Sequence, residues 1–422
     1  MTEIDQQPPP LTNDCFALPP GQHWTPVAEA HALLQTRLSV IAGTETLPIS
    51  QALGRVLAKP VAARRDNPPT PNAAMDGYAF DGGDQPAGTR VMPLVNGRSA
   101  AGQPFDGVVP QGHAVRVLTG ASMPKGTNTV IMQEDVQLRD GEIAFQGPIK
   151  AGSNARDAGE DAKEAQEILP SGRIVTPADL AFMAATAVQT VTVRHRLKVA
   201  VISTGDELVE AGQNASGDQI FDANRPMLLA MLARFGYQPV DLGRVPDNRD
   251  ALQDAFDQAA KKADVILTSG GASAGDEDHV SALLKDTGSM TLWRMALKPG
   301  RPLVLAMWQQ TPVFGLPGNP VAAMVCALMF ARPAMGVLSG QGWSLPTGLM
   351  LPAHFSKIKK AGRREYLRAR LREGRVEVFE SEGSGRVSSL SWAEGLVELP
   401  DETIQIVPGT PVRYLPFSDF GL

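Results

Sequence analysis

Apolar positions along this chain change their spacing from one region to the next. Two stretches carry helical periodicity: VAEAHALLQTRL after Thr25-Pro26, and ADLAFMAATA after Thr176-Pro177. In each, the threonine is predicted as N-cap and the proline as first helical residue, where its fixed φ fits and its missing N–H is no loss. Asp179 adds an acid to the first turn of the second helix. Between them the spacing shortens to β-like runs, TRVMPLV, AVRVLTG, NTVIMQED and EIAFQG, punctuated by glycine and proline. This pattern predicts a β-rich domain over 46–165, inserted between two halves (22–45 and 166–195) of a small helical linking domain. From Leu197 the runs LKVAVIS, DVILT, TLWRMA and PLVLAM read as buried parallel strands. They alternate with the helical segments NRPMLLAMLARFG, RDALQDAFDQAAKKA, HVSALLKDTG and NPVAAMVCALMFARPAM. Such alternation predicts a three-layer α/β domain with a mainly parallel sheet over 196–345. Short β-like runs return in EYLRARL, RVEVFE, LVELP, IQIVP and PVRYLPF, predicting a small all-β, barrel-like domain over 346–422. The fold class expected is therefore multidomain α/β plus β.

Composition narrows the function classes. The chain has 422 residues, too many for one ordinary core, with 43% hydrophobic and 20% charged residues, as in a soluble globular protein. A net charge of −6 without a basic block argues against nucleic acid, so any bound anion needs a local concentration of cations. The longest apolar stretch, Val321 to Ala331, is too short to span a bilayer. The first residues, MTEIDQQPPPLTND, have neither the basic start nor the apolar segment of a secretory signal, and a disordered leader is expected over 1–21. Cys15 and Cys326 are the only cysteines, with no CxxC, which fits a reducing cytoplasm.

Candidate chemistry concentrates between Ser269 and Pro320. SGGASAGDED follows the run DVILT, so Ser269, Gly270, Gly271 and Ser273 form a donor-rich turn on the carboxyl edge of the sheet, where ligands bind in such folds. Asp276, Glu277 and Asp278 follow at once, supplying the hard oxygens that magnesium requires beside a phosphate. Lys298-Pro-Gly-Arg301-Pro302 places two cations on a proline-braced turn suited to a dianion. STGDEL ends the strand LKVAVIS: Ser203, Thr204 and Gly205 offer donors to a phosphate, and Asp206 or Glu207 an acceptor to a sugar or heterocycle. Asp206 serves equally as the N-cap of a following helix. GLPGNP joins a tight turn to a helix start with Asn319 as N-cap and Pro320 behind it, positioned either for structure or for an anion.

With these motifs go PNAAMDGYAFD (71–81), AVRVLTGASMPKGTNTVIMQED (114–135), AGSNARDAGED (151–161), FDANRPML (221–228) and AEGLVELP (393–400). In this order, from about residue 25 onward, the chain resembles the molybdopterin molybdenumtransferases, a family that includes the C-terminal domain of gephyrin. The resemblance implies molybdenum insertion into adenylylated molybdopterin with release of AMP, in a cytoplasmic homodimer. Magnesium, molybdopterin and molybdate are the implied cofactor and substrates, and molybdopterin adenylyltransferase and molybdoenzymes are possible partners. It implies Asp278, Lys298 and Arg301 at the chemistry, Asp247 and Asp278 as magnesium ligands, and Pro302, Arg363 and Ser388 at the molybdate site. Thr119 and Asp161 match positions lining a cleft that the family builds from two subunits, with Asn72 and Asp76 in the adjoining loop.

The chain also departs from the family pattern. Pro71 stands where the family has an acid and Ala73 where it has a serine. Asp247-Asn248 replaces paired aspartates, and Arg156 remains while Asp157 and Ala158 replace two arginines. Two alternatives stand beside the insertase: a weakened paralogue acting as a binding or scaffold protein, which these changes support, and an enzyme that adenylylates molybdopterin, whose family resembles this chain in its α/β domain. The length of the chain disfavours the latter.

Overall fold

The run Lys198–Thr204 is apolar from Val199 to Ile202, and in the computed structural model all four residues are fully buried in mid-sheet. A strand without polar alternation needs cover on both faces. The structure describes residues 24–83, 85–270, 279–286, 291–300 and 302–422. They fall into two compact units: the residues up to Gly43 together with Arg194–Leu422, and Thr44–Val193.

In the first unit the central sheet comprises β1 (Lys198–Thr204), β2 (Gln238–Val245), β3 (Val265–Ser269), β4 (Thr291–Arg294), β5 (Pro302–Trp308) and β6 (Thr311–Leu316). Their order is β2-β1-β3-β6-β5-β4. The first four in that order pair in parallel; β5 alone reverses direction, pairing antiparallel with β6 on one side and with β4 on the other. TLWRMA and PLVLAM, expected as parallel strands, are therefore the antiparallel edge. The cause is the turn between β5 and β6, where Gln309 and Gln310 both take positive φ (46° and 69°) and reverse the chain in two residues. No Asn-Gly or Asp-Gly marks this turn. Trp308 Nε1 and Gln309 Nε2 instead donate to Asp257 Oδ1 at 2.9 and 2.8 Å and pin it in place.

Helices of the two units include α1 (Val27–Arg37), α2 (Pro177–Ala185), α3 (Asn224–Arg234), α4 (Arg249–Lys262), α5 (His279–Asp286), α6 (Pro320–Cys326) and α7 (Arg332–Leu338). One face of the sheet, with Val199, Val201, Val265 and Leu267, packs with Leu228 and Leu232 of α3 and Val325 of α6. The opposite face, with Ala200, Ile202 and Ile266, packs with Phe256 of α4 and Leu284 of α5. Each such large side chain taken fully out of water stabilises the fold by roughly 1.5–3 kcal/mol. The result is the three-layer α/β arrangement.

Thr176 caps α2, as its sequence predicts, and the structure adds a reciprocal capping box with Asp179. Thr25 does not cap α1: Pro26 takes the cap position without a side-chain bond, and Thr25 pairs with Met295 through the backbone. The two helices expected to form one linking domain fall in different units, since Val27, Ala30 and Leu34 join the α/β core while Met183 joins a cluster with Leu47 and Val191. The apolar segment near Val321 also runs on further than Ala331. α6, a π-helical turn (Ala327–Ala331) and α7 follow without a break. Together Pro320–Leu338 is long and apolar enough to cross a membrane by length and composition alone, but 89% of it is buried inside the protein. It is a core helix.

After α7 the chain forms a sheet in the order 297–298, 364–372, 395–399, 411–416, 349–352, with 375–378 hydrogen-bonded to 364–372. Its core holds Leu367, Val397, Val412 and Tyr414. Leu297–Lys298 is the informative strand: although it follows β4 in the chain, it pairs in parallel with 364–372, setting Lys298 opposite Glu365. The second unit is built on a six-stranded sheet, ordered 129–132, 77–80, 114–117, 85–99, 142–149, 136–139.

Candidate functional site

Three turns meet at the carboxyl edge of the central sheet. Ser203 of β1 and Ser269 of β3 are register neighbours, so their side chains share a face. Gly270 takes φ +94°, and a Cβ there would stand 2.4 Å from Thr204 O. Only glycine lets the two turns close to this distance. The N–H of Gly270 donates to Leu316 O at 3.3 Å, and a Cβ on Gly318 would lie 3.8 Å from Gly270 Cα, so the turn after β6 completes the set. Asn224, at the start of α3, ties two of the turns together: its Nδ2 donates to Ser269 Oγ at 2.7 Å and to Gly318 O at 2.6 Å. Asp222 Oδ1 in turn accepts from the N–H groups of Asn224 and Arg225 at 3.1 and 3.0 Å, fixing the helix start.

The sequence predicts Ser203, Thr204, Ser269 and Gly270 as ligand contacts. The structure brings them together but encloses them: Ser203 is 0%, Thr204 3% and Ser269 3% exposed. They form the floor that shapes the turns, with Asn224 of α3 bonded to Ser269. Three buried polar atoms on this floor, Ser203 Oγ, Thr268 Oγ1 and Asn224 Oδ1, have no hydrogen-bond partner among the described residues. Glu207 is exposed at the rim, its carboxylate folded back toward Gly205, where a Cβ would come within 2.5 Å of it. STGDEL does not open a helix: Leu208–Val209 continues as a short strand paired with Ile220–Phe221, so Asp206 is not an N-cap. Asp206 Oδ1 accepts from the N–H of Asp247 at 3.2 Å, and Thr204 Oγ1 donates to Asp247 Oδ1 at 3.3 Å. Gly271, Ser273 and Asp278, with Asp276 and Glu277, lie outside the described residues, as do Arg301 and the Pro302 side chain. Among the described residues no group of three or more His, Cys, Asp or Glu side chains is placed to hold a metal ion.

Lys298 heads a second cluster. Its Nζ bonds Glu382 Oε2 and lies 3.7 Å from Glu365 Oε2. Lys357 Nζ bonds Glu382 Oε1 and lies 3.2 Å from Glu365 Oε2. Burial alone would raise the Glu382 carboxyl, but the hydrogen bonds and charges of the two lysines overrule it and pull it down to about 2. The turn after Lys298 is seated by Gly300, where a Cβ would come within 2.7 Å of Cys326 Sγ. Burial pushes that cysteine thiol up to about 12, which removes it as a nucleophile at neutral pH. Arg363 is buried beside this cluster's strand, its guanidinium over the Trp24 ring at 6.0 Å. Ser388 is the exposed first residue of a short helix; its neighbour Ser389 accepts from buried Arg368 Nε at 3.1 Å. Sequence reasoning missed Lys357, Glu365 and Glu382, since 84 residues separate Lys298 from Glu382 and no spacing rule links them.

In the second unit, Asp76 Oδ1 accepts from the Thr119 hydroxyl at 2.6 Å and from its N–H at 2.7 Å, and these bonds hold the carboxyl below its ordinary range. Asp161 Oδ2 accepts from Asn67 Nδ2 at 2.8 Å. Asn72 pairs with Arg156 across two short strands. Two of the departures have a local explanation. Ala73 is 0% exposed, so a serine there would bury a hydroxyl. Asn248 caps α4, accepting from Ala251 N at 2.9 Å, a task that aspartate performs equally well.

Three family descriptions match consecutive parts of the chain: "MoeA N-terminal region (domain I and II)" at residues 25–187, "Probable molybdopterin binding domain" at 200–336, and "MoeA C-terminal region (domain IV)" at 351–417. A molybdopterin molybdenumtransferase of Haemophilus influenzae is 34% identical over 92% of this chain and 98% of its own length. The chain belongs to the MoeA family. A second molybdopterin molybdenumtransferase, from a Nostoc species, is 33% identical over 85% of each chain. The crystal structure of the molybdopterin biosynthesis moeA protein of Pyrococcus horikoshii superposes with a TM-score of 0.81 at 28% identity, covering 93% of this chain and 100% of that one. The multidomain α/β plus β architecture is thus that of a MoeA protein. The three converging turns all lie within the matched molybdopterin-binding region.

Proposed function

We propose that this MoeA protein transfers molybdenum from molybdate to molybdopterin presented in adenylylated form, releasing AMP. The observation that carries this is the convergence of the Thr204, Gly270 and Gly318 turns at the carboxyl edge of the sheet, within one compact unit that also holds the Lys298 cluster. The turn atoms suit a phosphorylated heterocycle: they are close-approach backbone, rimmed by Glu207 and Asp206. Ser203, Ser269 and Gly270 set the shape of the loop, and Gly271 and Ser273 hold phosphate. Lys298 and Arg301, with Pro302, Arg363 and Ser388, receive molybdate through charge-assisted hydrogen bonds.

The donors at Asp247 fit magnesium. The carboxylate stands beside the Thr204 hydroxyl and close to Asp206, and this ion is usually held by one or two carboxylates with the rest of its shell from water and phosphate. Asp247 and Asp278 would hold it, and the chemistry it supplies is neutralisation of phosphate charge. The protein's own contribution is orientation and charge handling rather than covalent catalysis.

The enzyme works as a cytoplasmic homodimer in this proposal, with Thr119, Asp161, Asn72 and Asp76 facing substrate from the partner subunit's side. It takes substrate from a molybdopterin adenylyltransferase and passes product to molybdoenzymes. The test is single-turnover AMP release from adenylylated molybdopterin with magnesium, with and without molybdate. Molybdate-dependent release with molybdenum retained on the pterin is expected. Tight binding of the substrate with no AMP release under any condition would refute the insertase and leave a carrier. Asp278→Asn is expected to abolish turnover with the fold intact, and full activity in that variant would remove Asp278 from the site.

A further inference from the structure

The proposed molybdate lysine is already occupied by an anion from the chain itself. Glu382 gives one carboxylate oxygen to Lys298 and the other to Lys357, the arrangement a multi-oxygen anion would adopt between the same two ammonium groups. The four side chains sum to zero: +1 and +1 from Lys298 and Lys357, −1 and −1 from Glu365 and Glu382. A dianion entering this set would take it to −2. With the Glu382 carboxylate withdrawn the sum becomes −1, before the charge of Arg301 is counted.

The two glutamates differ in what it takes to move them. Glu365 is buried, with 9% of its side chain exposed, and sits in a strand between Lys298 and Leu399. Glu382 lies outside any helix or strand, with 46% of its side chain exposed, and the chain after it reads Gly383-Ser384-Gly385. The backbone of this strap is pinned from behind: Arg368 donates to Ser381 O and to Gly383 O, and Val321 N–H donates to Ser384 O at 3.1 Å. The strap stays while the side chain is free to swing into water.

We propose that Glu382 is an internal stand-in for the oxyanion, a side-chain gate whose carboxylate holds Lys298 and Lys357 in place and must be displaced when molybdate binds. This rests on the assignment of Lys298 to molybdate. The gate keeps the lysines oriented when no substrate is present, and it raises the threshold for weakly held monoanions, which have fewer charges and oxygens to offer the pair. It also makes Lys357 a second direct contact for the anion, beside Lys298.

The experiment is equilibrium binding of molybdate to the full chain, comparing the unaltered protein with Glu382→Gln, Glu380→Gln and Lys298→Ala, each checked for an unchanged circular dichroism spectrum. Glu380 is exposed on the same strap and has no ion pair among the described residues, so it controls for a general loss of negative charge. Expected is about tenfold tighter molybdate binding in Glu382→Gln, the order of one charge-assisted hydrogen bond no longer contested, with little change in Glu380→Gln. Unchanged or weaker binding in Glu382→Gln, while Lys298→Ala still abolishes binding, overturns the gate and leaves the anion site standing. Equal tightening in Glu380→Gln also overturns it, reducing the effect to bulk charge. Molybdate binding that Lys298→Ala leaves untouched overturns both the gate and the placement of the anion.

Discussion

On the floor at the carboxyl edge of the central sheet, the described groups that meet are neutral: glycine backbone, serine and threonine hydroxyls and the Asn224 amide. At the edge of the C-terminal sheet, Lys298, Lys357, Glu365 and Glu382 are all charged. The neutral region gets its precision from close packing, where one added carbon collides with backbone. The charged region gets it from balance, so its geometry changes when one partner changes charge. A heterocycle with phosphate needs a shaped floor, whereas an oxyanion needs cations that can be re-paired. The two regions should therefore respond differently to substitution.

The largest effect is expected at the neutral edge. Gly270→Ala places a Cβ 2.4 Å from Thr204 O on a backbone with φ +94°, and a loss of roughly 2–4 kcal/mol is expected. Chemical denaturation measures it; a variant as stable as the parent would mean that the turns are not packed as described. Asn224→Ala comes next. It leaves Ser269 Oγ and Gly318 O without their shared donor, and should lose about 1–3 kcal/mol. A calorimetric melting temperature equal to that of the parent would show that this bridge is dispensable.

The charged cluster should instead show itself in pH. The Glu382 carboxyl is depressed from an ordinary 4.5 to about 2. Its stabilisation is therefore fully present above about pH 4.5 and lost as pH falls through about 2. With 46% of the side chain exposed, solvent screening limits this to about 1 kcal/mol. Urea titrations of the parent and Glu382→Gln should differ by a constant amount from pH 8 to 5 and converge below that. A difference that grows on acidification would contradict the lysine pairing. Smallest of all is Asn248→Asp, which restores an acid beside the neutral edge but keeps the cap on α4. Its stability should stay within about 0.5 kcal/mol of the parent. A larger loss would reveal repulsion from Asp247 or Asp250 that the cap geometry does not predict.

Much of the fold could be read from local pattern. The cap of α2 at Thr176 is a short-range signal and appears as expected. The direction of β5 was not legible, because it depends on a Gln-Gln turn held by Asp257, some fifty residues upstream. The site shows the same division. SGGASAGDED and STGDEL announce themselves as turns at strand ends, but that Ser203 and Ser269 lie beneath the surface is decided by the folded chain, where Asn224 of α3 bonds Ser269. Asn224, inside a motif that was legible only as family resemblance, turns out to be the bridge between two turns.

The sequence by itself determined the succession of β-rich, α/β and β regions, the family, and the presence of cations at 298 and 301, since periodicity, glycine spacing and linear motifs are all properties of neighbouring residues. Only the tertiary structure decided which charge faces which. Parallel pairing of Leu297–Lys298 with the strand 364–372 brings Lys298 to Glu365, and a strap held by Arg368 carries Glu382 to the same ammonium. Coulomb attraction depends on distance in space rather than in sequence, and these distances exist only once the two sheets have formed.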